Sequence, residues 1–593
     1  RKIYRMFIST AFIKTTIDNE EKWRAKLFGP IYIKFLRLAQ HYGVMQYGMI
    51  IEQYFGRGID ESIYKAIKPI IIRTLINEIH LCSDELIGDN ENEKYLNFVN
   101  EYLENIEYIK ELFEYYPALL RCILDKIVDL IRFYYNLFKR WENDWPLIKE
   151  KLSINTNLIT KSTIVGDMHK YGQATVRLYL DGGECVYYKI RDMKISETYY
   201  TIYSEICHYE GIQSGEYMIL NRINYGWERE VQYKQCNCKE EIQRFYQRMG
   251  IHLLINYMFD SQDLHYQNLI ANGEYPFFVD VETVCSTLEK YSPSGDAYNN
   301  AIWKRESTIF KNGIIPFPNG KYNYFTAIEG KKGVETDLYK IKIVNPFTSN
   351  IKIENVRAIT NKGYNLPYSD DLLHDWRDYF EFIVYGFSQA YQYVLSKKDD
   401  ILKHFQRFEY RILLMNTFDY YNLLKLSYHP YFLTDGGNRQ LFLSKIFMNH
   451  ENYEFENSKA LFEAEIMALL RNDIPYFYAK SDMKDLFTNE GKKVCANFLP
   501  IKPVDYLEER INKMSYEDMI LQRNLLEVIS PGYRNKNWSQ YLYKPFTINE
   551  KGSYRNKFRA LYLMIADKLL KSALLDKQKA DVEWIYATEN GPH

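Results

Sequence analysis

One short stretch of the chain gathers side chains that could serve phosphoryl transfer. Asp263, His265 and Asn268 form a DxHxxN pattern, and Asp280 and Glu282 follow in the sequence VDVET. Carboxylate and amide oxygens are ligands suited to Mg²⁺, with nucleotide phosphates completing the coordination. Asp263 would then position a hydroxyl for attack on a γ-phosphate, in a reaction catalysed mainly by placement and charge neutralisation. The cluster predicts ATP-dependent phosphoryl transfer.

The two carboxylates of this cluster are predicted to lie on one strand. The segment from Tyr275 to Val284 is rich in aromatic and β-branched residues and follows the turn signal Asn272-Gly273, which is typical of a strand. Because strand side chains alternate between faces, Asp280 and Glu282 would project on the same side. An acidic loop beside an ordinary strand end is the alternative, and the added pair of spaced carboxylates favours the metal site over it.

A lysine that could reach ATP precedes the cluster. The segment GDMHKYGQATVRLYLDGGECVYYKIRD predicts a turn, a strand, a reversal at Asp181-Gly182-Gly183 and a return strand that carries Lys189. In kinases such a lysine contacts the α- and β-phosphates of ATP. Taken alone, Lys189 is more simply a solvated strand lysine, and only its place before the DxHxxN pattern favours nucleotide binding. Asp167 and His169 lie in the turn that would cover the nucleotide.

Helical patterns surround these elements. Apolar residues recur at helical spacing up to about residue 152 and again from about Asp370, including residues 406–433 and 557–578. A helix with Asn237 as N-cap and Glu240 completing a capping box leads into the DxHxxN loop. Residues 285–367 are predicted to be a loop-rich insert. Four residues form the predicted buried stripe of the helix before the loop: Ile242, Phe245, Tyr246 and Met249.

The order of these elements predicts an α+β protein with a two-lobed kinase fold, and the DxHxxN order is similar to the lipid-kinase variant. We expect a helical N-terminal region over residues 1–152 and a small lobe over 153–236. The catalytic large lobe with additional C-terminal helices would follow over 237–593.

Bulk composition limits the possible partners. A chain of 593 residues is too long for one compact core and predicts about two or three domains. The formal net charge of −1 gives no electrostatic case for binding nucleic acid or a membrane surface. Without an apolar run of membrane-spanning length or a signal peptide, we expect a cytoplasmic protein with no membrane insertion. The eight cysteines include no CxxC pair, so neither a zinc ribbon nor a redox motif is predicted.

Seven segments resemble, in the correct order, the dehydratase region of class II lanthipeptide synthetases, and EYYPALLR resembles that family's helical N-terminal region. The segments are GDMHKYG, VYYKIRD, YGW, DLHYQNLIANGEYP with VDVET, YGFSQAY, RILLMNTFDYY with SYHP, and NDIPYF. The resemblance implies a fold similar to lipid kinases. It also implies that Ser and Thr hydroxyls of a ribosomally made precursor peptide with a leader are phosphorylated with ATP and Mg²⁺. Elimination of the phosphate would then leave dehydroalanine or dehydrobutyrine.

The resemblance also implies roles for individual residues in phosphorylation. Lys189 would hold the ATP phosphates, Asp263 would orient or deprotonate the substrate hydroxyl, and His265 would support the loop. The implied metal ligands are Asn268, Asp280 and Glu282.

Elimination is implied to use other residues. Asp167 and His169 match the family's DxH, and Arg411 and Thr417 match a pair implicated in elimination. A guanidinium is a bidentate partner for a leaving phosphate, and a hydroxyl can bond the same oxygens. Without the resemblance, Arg411 and Thr417 are more simply a salt-bridge partner and a helix-surface hydroxyl.

Departures from the family pattern keep other functions open. Met415 stands where the family usually has an arginine, and Gln173, Ile190 and Gln267 replace an Arg, a Pro and a Glu. A Ser/Thr peptide kinase that retains the phosphate and a non-catalytic scaffold that binds the precursor are the alternatives.

The final residues VEWIYATENGPH lie about where the family's zinc-dependent cyclase domain would start. We therefore expect thioether ring closure on a removed portion of the polypeptide, on a separate protein, or not at all.

Overall fold

The computed structural model describes residues 20–286, 307–317, 320, 322–405, 407–450 and 455–530, together with two short C-terminal strands. The described chain is an α+β protein, as the sequence predicts. Among the helices in these segments, none combines the length and the apolar character needed to cross a membrane.

Helices make up the N-terminal region as predicted from their periodicity. The longest helix, α7, begins at Pro117, where the missing N–H of proline is tolerated. Its apolar face packs into one buried cluster with the helices before it and the sheet after it. The bounds are α1 Glu20–Arg24, α2 Gly29–Tyr47, α3 Met49–Tyr54, α4 Ile59–Leu81, α5 Glu91–Asn97, α6 Ile106–Tyr115 and α7 Pro117–Lys151, with a 3-10 turn Phe55–Arg57 and a π-helical turn Phe98–Tyr102.

A five-stranded antiparallel sheet follows in the order β1-β2-β3-β5-β4. The predicted hairpin is confirmed as β2 and β3, which pair across the turn at Gly183, where φ is +82°. The sheet packs on α7 through Trp227, whose ring centroid lies 5.4 Å from that of Trp141 and whose Nε1 donates to Asp144. The bounds are β1 Ile159–Ile164, β2 Val176–Leu180, β3 Cys185–Lys189, α8 Lys194–Tyr209, β4 Ile219–Asn221 and β5 Gly226–Arg229.

Helix α9, Lys239–Met258, carries the chain to the DxHxxN loop, and its predicted stripe is buried. The predicted capping box is wrong, because the N-cap is Cys238 rather than Asn237. Glu241, one residue after Glu240, accepts the hydrogen bond from the backbone N–H of Asn237 at 2.7 Å. The glutamate that accepts a backbone N–H at the start of this helix is therefore one residue later in the chain than predicted.

The predicted strand after the loop is shorter than expected. The hairpin consists of β6 Leu269–Asn272 and β7 Tyr275–Phe278, so Asp280 and Glu282 do not lie on a strand as predicted. Val279, the residue after β7, donates its N–H to the carbonyl of Asn268. Asn268 precedes β6, which begins at Leu269, so the strand pairing does not extend to Asp280.

The insert and the C-terminal part differ from the sequence prediction in two places. Part of the insert predicted as loops is a hairpin of two long strands. The segment 406–433, predicted as helical, contains a strand that carries Arg411, in a sheet of order β12-β13-β14-β15. The predicted helix 557–578 lies outside the described residues.

The remaining bounds are β8 Glu335–Val344, β9 Lys352–Ile359, β10 Tyr368–Ser369, β11 Leu372–Leu373, α10 Phe380–Ser396, α11 Lys398–Leu402, β12 Glu409–Ile412, α12 Thr417–Ser427, α13 Pro430–Leu433, α14 Gly436–Leu443, α15 Phe455–Leu470, β13 Phe477–Lys480, β14 Leu486–Thr488, β15 Lys493–Cys495, α16 Pro503–Lys513, α17 Tyr516–Val528, β16 Ala587–Thr588 and β17 Gly591–Pro592. Four further 3-10 segments occur in the described chain, at Tyr266–Asn268, Asn323–Phe325, Trp376–Tyr379 and Ser444–His450.

Two glycines allow α9 and α10 to approach closely. A Cβ added to Gly250 would lie 2.1 Å from the carbonyl oxygen of Ile383, and one added to Gly386 would lie 2.0 Å from that of Gln247. Both positions therefore need glycine, and their contact fixes the helix that precedes the DxHxxN loop.

We expect Gly386→Ala to lower the free energy of unfolding by about 1–3 kcal/mol, because the added methyl group must push the two helices apart. The midpoint of urea unfolding would measure the change. Gly436→Ala is the matched control, since a Cβ there meets nothing within 4 Å, and we expect it to be neutral or stabilising by up to about 1 kcal/mol. Equal midpoints for the Gly386 variant and the unaltered protein would contradict the packing described.

Candidate active site

The end of β3 meets the segment that follows β7. The Nζ of Lys189 donates a hydrogen bond to the carbonyl of Val279 at 3.1 Å, which places the lysine beside Asp280. It also lies 3.9 Å from Oε2 of Glu228 on β5, and both side chains are buried. Lys189 therefore lies next to Asp280 in the structure, and their joint binding of one nucleotide stays a prediction.

Two arginines hold the carboxylates after β7. Arg191 lies 2.9 Å from Oδ1 of Asp280 through Nη2 and 3.1 Å from Oε2 of Glu282 through Nε. Arg411 pairs with the other oxygen of Glu282 at 2.8 Å. The two carboxylates thus face the same guanidinium although their backbone is irregular. Burial opposes ionisation of Asp280, but Lys189, Arg191 and Arg411 outweigh it and lower the pKa of this carboxyl.

The DxHxxN loop faces these carboxylates. Asp263 has a left-handed backbone with φ +66°, a strained conformation that often occurs at functional sites. Its side chain is 57% exposed and lies 3.8 Å from Nε2 of His265. Desolvation raises the pKa of Asp263, and the charges of Asp280 and Glu282 add to this effect against the opposing charges of His265 and Arg411. The carboxyl is thus accessible to a substrate and close to the other charged groups of the cleft.

His265 and Asn268 fix the shape of this loop. The Nδ1 of His265 accepts the backbone N–H of Gln267 at 3.2 Å, so the proton of the neutral ring is on Nε2, the atom that faces Asp263. The side-chain Nδ2 of Asn268 donates to the carbonyl of Asp263 at 2.9 Å. Both contacts support Asp263 in its left-handed conformation.

The oxygen atoms of the cleft fit Mg²⁺ only when a ligand supplies further oxygens. Asp280 and Glu282 offer carboxylates, and Asn268 keeps its Oδ1 because the hydrogen bond to Asp263 uses Nδ2. In the described residues, no group of three or more His, Cys, Asp and Glu side chains could hold a metal ion. Mg²⁺ typically takes one or two carboxylates and completes its octahedron with phosphates and water. Asn268 and Asp280, which pairs with Arg191 through Oδ1, fit that arrangement. Glu282 would have to exchange an arginine partner for the metal, because its two oxygens pair with Arg191 and Arg411.

The loop between β1 and β2 brings the DxH residues near Arg411. The buried His169 donates from Nδ1 to the carbonyl of Ile474 at 2.7 Å. Burial, and next the charge of Arg411, lower the pKa of His169 to about 3, so the ring is neutral. Asp167 lies at the exposed rim, where desolvation raises its pKa and the charge of Arg411 opposes the rise.

Arg411 lines a cavity of about 420 Å³ next to the cleft. Its Nη1 pairs with Glu282, but Nε and Nη2 are buried without a hydrogen-bond partner in the described structure. Buried donors normally have partners, so these two are available to a bound oxyanion. Thr417 is the half-buried first residue of α12 and is not among the side chains that line this cavity. Of the predicted elimination pair, only Arg411 is therefore placed there.

Sequence reasoning missed four residues of this site: Lys170, Arg191, Glu228 and Tyr476. Arg191 follows Lys189 by two positions, so strand alternation could have placed both side chains on one face. The other three meet the cleft only through long-range contacts. Tyr476, in the quoted segment NDIPYF, lies under both Arg411 and Lys170, with its ring centroid 5.0 Å from the Arg411 Cζ and 5.3 Å from the Lys170 Nζ.

A curated relative and a family profile each match a large part of the chain. The lacticin 481/lactococcin biosynthesis protein LcnDR2 of Lactococcus lactis subsp. lactis is 23% identical over 512 residues, which are 82% of this chain and 53% of the relative. The chain thus spans about half the length of this curated relative. The profile of the family described as Domain of unknown function (DUF4135) matches residues 116–480, from the start of α7 to the end of β13. Since this match covers more than half of the chain, the protein belongs to the DUF4135 family.

Proposed function

We propose that the protein is a lanthipeptide dehydratase, which phosphorylates Ser and Thr of a leader-bearing precursor peptide with ATP and Mg²⁺ and then eliminates the phosphate. The observation that carries the proposal is that Asp280 lies beside Lys189 and close enough to Asp263 for the two carboxylates to interact. Arg191, which binds Asp280, also lines the cavity at Arg411. The similarity to a biosynthesis protein for lacticin 481 supports the class of substrate.

A lipid-kinase-like, two-lobed fold belongs to this proposal. The β1–β5 sheet with α8 would form the small lobe, and the chain from α9 onward would form the large lobe. Two features support the assignment. The lysine lies on the third strand of the sheet, as in kinases, and the loop Asp and the metal-binding carboxylates follow it in sequence.

In the phosphorylation step, each group of the cleft has a separate task. Lys189 binds the α- and β-phosphates, and Asp263 accepts a hydrogen bond from the substrate hydroxyl and orients it toward the γ-phosphate. Asn268, Asp280 and Glu282 would hold Mg²⁺, which would supply positive charge to neutralise the phosphates. His265 keeps the Asp263 carboxylate in position.

In the elimination step, the new phosphate ester moves to the cavity at Arg411. The free Nε and Nη2 donors of this arginine bind two phosphate oxygens and stabilise the charge that develops as the phosphate leaves. Asp167 and His169 lie close enough to Arg411 for its charge to act on them. Neither they nor Thr417 line the cavity, and their part in elimination rests on the resemblance alone.

A Ser/Thr peptide kinase that retains its phosphate is the second candidate. Met415, which stands at a position where an arginine is expected from the resemblance, packs against the hydrophobic core instead of adding a phosphate ligand. The mass of the product separates the two functions. A gain of about 80 Da per site marks retained phosphate, and a loss of about 18 Da marks dehydration.

We expect Lys189→Ala and Asp280→Asn each to slow phosphorylation by at least about 100-fold, because each removes charge stabilisation of the transferring phosphoryl group. The measurement is mass spectrometry of a leader-bearing lanthipeptide precursor that contains Ser and Thr, incubated with ATP and Mg²⁺. Lys161→Ala, an exposed lysine on β1 of the same sheet, is the matched control and should behave as the unaltered protein. If the peptide mass changes as much with these variants as with the unaltered protein, the chemistry takes place outside this cleft. If the mass changes with neither the variants nor the unaltered protein, the result favours a non-catalytic scaffold.

We expect Arg411→Ala to keep phosphorylation but to slow elimination by about 100-fold or more, since the leaving phosphate loses its bidentate partner. Phosphopeptide should then accumulate, and Arg411→Lys should restore only part of the rate. Arg407→Ala is the control, because Arg407 lies two residues before β12 and is 66% exposed. Fully dehydrated product from Arg411→Ala at the normal rate would refute the role of this arginine.

A further inference from the structure

We propose that Lys170 is the base that removes the Cα proton of the phosphorylated residue during elimination. This inference rests on the proposed dehydratase function and adds the one group that the phosphate-binding residues do not supply. β-Elimination needs a proton acceptor on the Cα side of the substrate as well as a stabilised leaving group.

Lys170 and Arg411 are held on one aromatic ring. The Nζ of Lys170 lies 5.3 Å from the ring centroid of Tyr476, and the Cζ of Arg411 lies 5.0 Å from the same centroid. Both side chains line the 420 Å³ cavity. Arg411 and Lys170 are thus both available to one phosphoseryl residue in this cavity, with its phosphate on Arg411 and its Cα toward Lys170 as the proposal requires.

The backbone and one hydrogen bond hold the lysine in this position. Lys170 and Tyr171 are consecutive left-handed residues, with φ values of +48° and +62°. Non-glycine residues adopt this conformation at a cost, and such strain is common at functional sites. The Nζ donates to the carbonyl of Ile190 at 2.9 Å, which leaves the lone pair of the neutral amine free for a substrate proton.

The reaction balances without a further reactant. The neutral Lys170 amine takes the proton from Cα, and the electrons of the broken Cα–H bond form the Cα=Cβ double bond. The Cβ–O bond breaks at the same time, and its electron pair leaves with the phosphate bound to Arg411. The products are dehydroalanine from Ser or dehydrobutyrine from Thr, inorganic phosphate and a protonated lysine that returns its proton to solvent.

Other titratable groups beside the cavity fit the task less well. His169 uses Nδ1 for the carbonyl of Ile474 and is a weak base, with its pKa lowered to about 3 mainly by burial. Asp167 is a carboxylate, far less basic than an amine even though its pKa is raised. The amine of Lys480 is already paired with a carboxylate, since it lies 3.6 Å from Oε1 of Glu409.

The surroundings of Lys170 set its protonation. Burial lowers the pKa of Lys170 to about 8, and the charge of Arg140 on α7 acts in the same direction. Glu409 on β12 and Glu282 after β7 oppose the shift. The neutral fraction therefore grows as pH rises toward 8 and changes little above about 9, so the elimination rate should follow this curve. Further charged or titratable groups around the cavity are His169, Arg191, Asp192, Arg411, Tyr476, Tyr478, Lys480 and Glu490.

The test measures elimination apart from phosphorylation. The probe is a leader-bearing lanthipeptide precursor synthesised with one phosphoserine and incubated with the full protein, ADP and Mg²⁺. We expect Lys170→Met and Lys170→Arg both to slow phosphate loss by about 100-fold or more, while phosphorylation of the unmodified peptide changes less than about threefold. Arginine keeps the positive charge but cannot act as a base at these pH values.

Two further readouts separate a base from a structural or charge-only role. Primary amines of differing basicity should restore elimination to Lys170→Ala in the order of their basicity, and the rise of rate with pH should vanish in Lys170→Arg. Lys139→Met, an exposed lysine on α7, is the control and should eliminate phosphate normally.

The outcomes are distinct for the two proposals. If the unaltered protein does not release phosphate from the phosphopeptide, the dehydratase function and the role of Lys170 both fall. If it does, and either Lys170→Met or Lys170→Arg eliminates at a rate within about fivefold of normal, only the role of Lys170 is overturned. If Lys170→Met also loses phosphorylation, the Lys170→Arg variant decides. A Lys170→Arg protein that phosphorylates but does not eliminate supports Lys170 as the base, and one that carries out both steps overturns this role.

Discussion

The charge network around Arg191 is the interaction on which the rest of the site depends. Its guanidinium joins Asp280 and Glu282, and Glu282 in turn pairs with Arg411 on β12. Three parts of the chain that are far apart in sequence are thereby fixed to one another. A partly buried carboxylate that lost these partners would be left with an uncompensated charge, which is strongly unfavourable. The network therefore keeps the acidic side of the cleft in place and, through the shared Glu282, couples it to the neighbouring cavity.

The helical N-terminal region reaches this cavity through a second set of ion pairs. Lys126 on α7 pairs with Asp473 at 2.6 Å, and both side chains are almost fully buried. Asp473 also accepts a hydrogen bond from the backbone N–H of Gly172, which lies two residues after Lys170 in the loop between β1 and β2. Ile474, the residue after Asp473, accepts a hydrogen bond from His169 through its backbone carbonyl. A displacement of α7 would thus change both the loop that carries Lys170 and the segment that carries Tyr476, which gives the helical region a physical route to influence the cavity that these two residues line.

Local sequence signals predicted the parts of the fold that depend on local structure. The glycine turn between β2 and β3, the periodic helices and the buried stripe of α9 all follow from patterns within a few residues. The strand β12 was mistaken for helix because its partner β13 lies more than sixty residues later, and no local pattern reports that pairing. Asp280 and Glu282 face the same way as expected, but the cause is the shared Arg191 rather than strand alternation. Lys170 and Tyr476 could not be recognised, because their common cavity exists only after the chain has folded.

The central claim is that Lys189 and Asp280 act on one nucleotide, and a double-mutant cycle on ATP binding tests it most directly. Calorimetry would give the affinity for ATP with Mg²⁺ in the unaltered protein, in Lys189→Ala, in Asp280→Asn and in the double variant. If both residues contact the same nucleotide complex, the two losses are coupled by about 0.5–3 kcal/mol, as is typical of groups in one network. Losses that add to within about 0.3 kcal/mol would mean that the two residues act independently and would contradict a shared nucleotide site.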